Sequence, residues 1–113
     1  MNYRTINLEE GMPSAPEAAR RLIMAVRLAR KQGIRAMKII HGFGSSGTGG
    51  KIRITARREL DKLQKSGHIQ FYVPGEKLSI FDENTRRALD TCPALRGDSD
   101  IDRHNNGITL VVF

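Results

Sequence analysis

A short run from Met37 to Ile40, apolar except for Lys38, stops at His41. It gives way to Gly42-Phe43-Gly44 and then to Ser, Gly and Thr as far as Gly50. Few arrangements accommodate that order. Gly44, Gly47, Gly49 and Gly50 lack a Cβ, so they can take positive φ and bring main-chain N–H groups close to an anion. From Lys51 to Ser66, apolar Ile52, Ala56, Leu60 and Leu63 recur on one stripe, which predicts a helix. A strand, a glycine loop and a helix N-terminus follow one another, and the free N–H groups and positive dipole end point at whatever the loop holds.

Two nucleotide-binding patterns come close and fail. Gly42-x-Gly44-x-x-Gly47 fits the dinucleotide fingerprint as a bare pattern, but the acidic residue at about the right distance, Asp61, falls in the next helix instead of at a second strand's end. The triphosphate loop requires G-x-x-x-x-G-K-[ST]. Here the opening position is Ser45, and Ile52 follows Lys51. No cofactor is expected.

The rest of the chain reads as alternating strands and helices. Tyr3 to Leu8 predicts a first strand, and Gly11 to Pro16 a turn. Ser14 and Glu17 have capping-box spacing, and Pro16 stands in the first helical turn, where a missing N–H costs little. That helix is expected to run to about Gln32, to turn Ala19, Leu22, Ile23, Val26 and Ala29 inward, and to stop at Gly33. Met37 to Ile40 suits a strand covered on both faces. Gly67 marks the second helix's end, His68 to Val73 predicts a third strand, and Ile108 to Phe113 a last one. Leu78 to Phe81 is a candidate extra strand, Asp82 a cap for a helix from Glu83 to Asp90, and Asp98 to Asn106 a mobile polar loop. The expected fold is α/β: one domain over residues 1–113, a small two-layer sandwich with two main helices packed on a mixed four-stranded sheet.

Charge narrows the partners. Nineteen Lys and Arg against twelve Asp and Glu give +7 and a pI near 10.2, the balance of a protein that meets polyanions. Arg20, Arg21, Arg27, Arg30, Lys31 and Arg35 gather along the first helix and its exit. Lys51, Arg53, Arg57, Arg58, Lys62 and Lys65 line the second. The plainer account of such runs is a solvated helix face. No apolar run reaches membrane-spanning length and no charged-then-apolar leader opens the sequence, so the expectation is a cytoplasmic protein with no membrane partner. Cys92 is the only cysteine, which leaves no internal disulfide and no cysteine zinc site. The three histidines are scattered, and Asp98, Asp100 and Asp102 lack the glycine and distal Glu of a calcium loop, so no metal is expected.

Taken together, Ile39-Ile40-His41-Gly42-Phe43-Gly44, the basic helix from Lys51 to Leu63, and Asn106-Gly107-Ile108-Thr109-Leu110-Val111-Val112 resemble the Smr domain, the small MutS-related module. They are similar to that family's "IIHGkG" strand and loop, following helix and terminal "GvTiVxL" strand, over Thr5 to Phe113. The resemblance implies a βαβαββ order, DNA or RNA binding and, in several members, endonuclease activity. It places His41, Gly42 and Gly44 on the family's H-G-x-G positions. The family's first strand typically reads L-D-L-H-G. Here the matching stretch is Ile6-Asn7-Leu8-Glu9, followed by Glu10-Gly11, so a carboxylate and an imidazole are both replaced. Residues 74–105 are longer than the family's usual connection and read as an inserted segment.

Three functional expectations follow. In the first, the chain binds nucleic acid without strong catalysis. The loop residues Gly42, Phe43, Gly44, Ser45, Ser46, Gly47, Thr48, Gly49 and Gly50, with Lys51, Arg53 and Arg57, contact phosphates. Phe43 either stacks on an unpaired base or plugs the loop from below. In the second, the chain is a phosphodiesterase, with His41 as general acid or base and Glu9 as its partner. The plainer role for His41 is a strand-end histidine bonded to backbone. In the third, residues 74–105 recruit a protein partner, with Asp98, Asp100 and Asp102 docking on a basic surface or covering one on this chain.

Overall fold

A computed structural model describes residues 3–42 and 49–113. Strand β1 (Tyr3–Asn7) leads through helix α1 (Ala15–Lys31) to β2 (Ala36–Ile40), and helix α2 (Gly49–Lys65) leads to β3 (Phe71–Pro74). A 3-10 turn (Gly75–Lys77), helix α3 (Glu83–Thr91) and a second 3-10 turn (Pro93–Gly97) precede β4 (Ile108–Val112). The strands lie in the order β1-β2-β4-β3. β1 is parallel to β2, while β4 runs antiparallel to both β2 and β3. The first three strands therefore point the same way, and β4 fills the gap that α2 leaves between β2 and β3.

Local sequence explains most boundaries. Ser14 Oγ accepts the Glu17 N–H at 3.3 Å, and Pro16 sits in the first turn of α1. Gly33, at φ +73°, reverses the chain after Gln32. The Asp82 carboxylate accepts from the Thr85 N–H at 2.8 Å and opens α3. Helix α2 starts two residues before the expected Lys51, at Gly49.

Side-chain alternation sorts the sheet's faces. One face carries Met37, Ile39 and Val111 into a core with Leu22 and Val26 of α1 and Ile52, Ala56 and Leu60 of α2. The two main helices on the four-stranded sheet form the expected sandwich. The other face carries Ala36, Phe71, Val73, Ile108, Leu110 and Val112 against Leu78, Ala88, Leu89, Cys92 and Leu95. Residues 74–105 thus cover the second face. All five β4 residues are buried, which accounts for their near-continuous apolar run.

Four local expectations are corrected. Leu78 to Phe81 is no strand: Leu78 is a core residue, and the Asp82 N–H bonds Ser79 O at 2.9 Å, closing a turn. The third strand begins at Phe71 because the His68 and Ile69 N–H groups fold back onto Leu63 O, finishing α2. The inward stripe of α1 passes through Ala18 instead of Ala19, with Ile23 half-buried. The loop from Asp98 to Asn106 is anchored: Lys38 Nζ reaches Asp98 Oδ1 at 3.1 Å and Asp100 Oδ2 at 2.7 Å, and the Asp102 N–H bonds Leu78 O at 2.8 Å. Among the described residues no helix is long and apolar enough to cross a membrane.

Candidate functional site

The end of β2 is pinned before the glycine loop begins. The His41 and Gly42 N–H groups both bond Gly107 O, at 2.9 and 3.0 Å, and the Gly107 N–H bonds Asn105 Oδ1 at 2.9 Å. Two of the sequence segments that carry the family resemblance therefore meet through backbone. Gly42 takes φ +70°, and a Cβ there would lie 2.7 Å from Glu9 Oε1. Asn7 Oδ1 accepts the Glu9 N–H at 2.9 Å, a local turn that brings the Glu9 carboxylate over Gly42. The N-terminal motif and the H-G pair are adjacent in space, as the βαβ order requires.

The His41 ring is fully buried. Its Nδ1 lies 2.6 Å from Gly42 O. A carbonyl only accepts, so Nδ1 carries the proton. Nε2, 2.8 Å from Thr109 Oγ1, then accepts the Thr109 hydroxyl. That hydroxyl accepts in turn from Arg57 Nε at 3.5 Å. Arg57 grips Glu76 with two parallel bonds, Nη2 to Oε1 at 2.8 Å and Nη1 to Oε2 at 3.0 Å. One hydrogen-bonded chain thus runs Glu76, Arg57, Thr109, His41, Gly42. Burial holds the His41 pKa below its ordinary 6.5, and the Arg57 and Arg53 cations add to that, while the bond to Gly42 O opposes it. The ring is neutral at pH 7, and neither nitrogen faces solvent. Glu9 is not among its bonded partners.

Of the expected phosphate ligands, Gly42, Gly49, Gly50, Lys51, Arg53 and Arg57 lie among the described residues. Phe43, Gly44, Ser45, Ser46, Gly47 and Thr48 lie outside them. Lys51 is exposed at the helix start, and Arg53 is half-buried one turn before Arg57. Arg57 is present, but its guanidinium is already held by Glu76. Neither Glu76 nor Thr109 is among the candidate site residues read from the sequence, although Thr109 falls within the terminal motif. Thr109 carries a signal, as a lone hydroxyl in the apolar run of β4 at a core-facing position; Glu76 carries none.

Charge is segregated by element. Helices α1 and α2 together hold eleven Lys and Arg against three Asp and Glu, so they exceed the +7 of the whole chain. Asp98 and Asp100, by contrast, are bound to Lys38 on the sheet face opposite those helices. Among the described residues no group of three or more His, Cys, Asp or Glu is placed to hold a metal ion, and Cys92 is buried. Comparison of the chain with protein families, with curated proteins and with solved structures finds no match.

Proposed function

We propose that this chain is a cytoplasmic nucleic-acid-binding module of the Smr type, which holds phosphates with the glycine loop and the basic faces of α1 and α2. The observation that carries this reading is the charge segregation. Eleven cations stand on two helices that share one face of the sheet, and the acidic loop is spent elsewhere. Support also comes from α2 beginning at Gly49, immediately after the loop, where its first N–H groups have no intrahelical acceptor. His41 serves in this reading as a structural key, because both ring nitrogens are engaged within the protein.

The test titrates fluorescently labelled single-stranded, duplex and branched DNA and RNA with protein at low and high salt, followed by a denaturing gel. The expected result is binding that weakens steeply with salt and leaves strands intact. Lys51→Ala and Arg53→Ala should each weaken binding alike across sequences and lower the salt slope by about one. Absence of binding to every probe at low salt would overturn the proposal. Cleavage lost in His41→Ala would replace it with a nuclease.

A further inference from the structure

The Glu76–Arg57 contact has the geometry of a ligand complex. A planar guanidinium receives two anionic oxygens in parallel, as it would receive two oxygens of a phosphate. Its Nε is directed at Thr109, so the fork is aimed from behind and its two terminal nitrogens face outward. The carboxylate is delivered by a rigid mount. A Cβ on the preceding Gly75 would collide with Asn105 O and lie 2.7 Å from Ile108 O, so the 3-10 turn is pressed against backbone. Glu76 itself retains 39% side-chain exposure and Arg57 21%, so a carboxylate leaving Arg57 passes directly into solvent. Burial raises the Glu76 pKa, but the Arg57 bonds outweigh it and hold the carboxyl below its ordinary 4.5, ionised at neutral pH.

Resting on the nucleic-acid reading above, we infer that Arg57 is a backbone-phosphate subsite whose place is taken in the free protein by Glu76, an internal competitor that nucleic acid displaces. Glu76 therefore lowers affinity for every sequence equally, since it competes with phosphate and not with a base.

The test measures fluorescence anisotropy of a labelled single-stranded DNA, a duplex DNA and a single-stranded RNA with the full chain across a salt series. Asp90→Asn is the control, because it removes the same charge from the Arg96 pair. Glu76→Gln should bind about fivefold more tightly than Asp90→Asn, with a salt slope steeper by up to about one, and the gain should vanish in Glu76→Gln/Arg57→Gln. In the unaltered protein, the Arg57 Nε–H resonance should shift as oligonucleotide is added. Equal affinities of Glu76→Gln and Asp90→Asn, a gain that survives without Arg57, or an unmoved Arg57 resonance in a protein that binds would each overturn the inference alone. No binding by wild type or Glu76→Gln at low salt would overturn the nucleic-acid reading, and this inference with it.

Discussion

Lys38 Nζ lies 2.7 Å from Asp100 Oδ2, joining β2 to a loop sixty-two positions downstream. Asp98 completes the clamp at 3.1 Å. Lys38 is the one polar residue of β2, and its ammonium emerges on the sheet face that residues 74–105 cover. The clamp therefore ties that cover to the sheet beside the apolar contacts of its core.

Lys38→Met keeps an unbranched stem but leaves two carboxylates with side-chain exposures of 7% and 16% without their cation. Removing one partner of such a set should destabilise the fold by about 3 kcal/mol, measured by urea unfolding. A change under about 0.5 kcal/mol, the usual size of a surface substitution, would show that the clamp contributes little.

The same clamp sets a pH window. Burial raises the Asp100 pKa, but the bonds from Lys38 and Asn105 outweigh it and hold the group below its ordinary 3.8. Its contribution to stability is therefore complete above 3.8 and is lost as pH falls through the lower folded value. Lys38 mirrors it. Burial lowers its pKa, yet Asp100 and Asp98 lift it above 10.5, so its contribution is complete below 10.5 and is lost as pH climbs through the higher folded value. Urea midpoints should decline at both extremes in wild type, and less steeply in Lys38→Met.

His41 adds a separate slope. Its folded pKa lies below 6.5, so its neutral form stabilises fully above 6.5, and that contribution is lost as pH falls through the folded value. Melting temperature should drop on mild acidification, and His41→Gln should flatten the drop. Thr109→Val removes the hydroxyl donated to Nε2 at nearly constant shape and should cost about 1–2 kcal/mol, since the buried nitrogen is left without a partner. An unchanged melting temperature in Thr109→Val would rule out that bond as a stabilising one.

Two glycines should respond differently to alanine. Gly33 has φ +73° and open space where a Cβ would stand, with no atom within 4 Å, so Gly33→Ala should cost about 1 kcal/mol of backbone strain alone. Gly75→Ala drives a methyl into Asn105 O, which belongs to backbone and cannot step aside, and should cost about 3 kcal/mol. Denaturant midpoints of the two variants check the order, and equal losses would contradict it.

Features read correctly from sequence are those written within a few residues of where they act. Ser14 and Asp82 cap the helices that follow them, and the Ile52, Ala56, Leu60 stripe is the buried face of α2. Ala18 and Ala19 have the same side chain, so pattern alone does not set which of them turns inward. Leu78 to Phe81 combines strand-like residues with a turn signal at Ser79 and Asp82, and the turn prevails because Asp82 is bound to Ser79 and Thr85. At the candidate site, His41 and the glycines announce themselves by type and spacing. Their setting depends on Thr109 and Glu76, which reach them across 68 positions and through Arg57. Thr109 shows only as a lone hydroxyl in an apolar strand, and Glu76 leaves no local trace.

Strand β4 lies between β2 and β3, yet it follows both in chain order. During synthesis, β2 and β3 therefore leave the ribosome with no strand between them, and neither core is complete until Ile108 to Val112 emerges. A polypeptide stalled before that point would hold its helices beside an unzipped sheet, exposing apolar stripes on both sides. Quality control during translation should find this chain vulnerable until β4 is released.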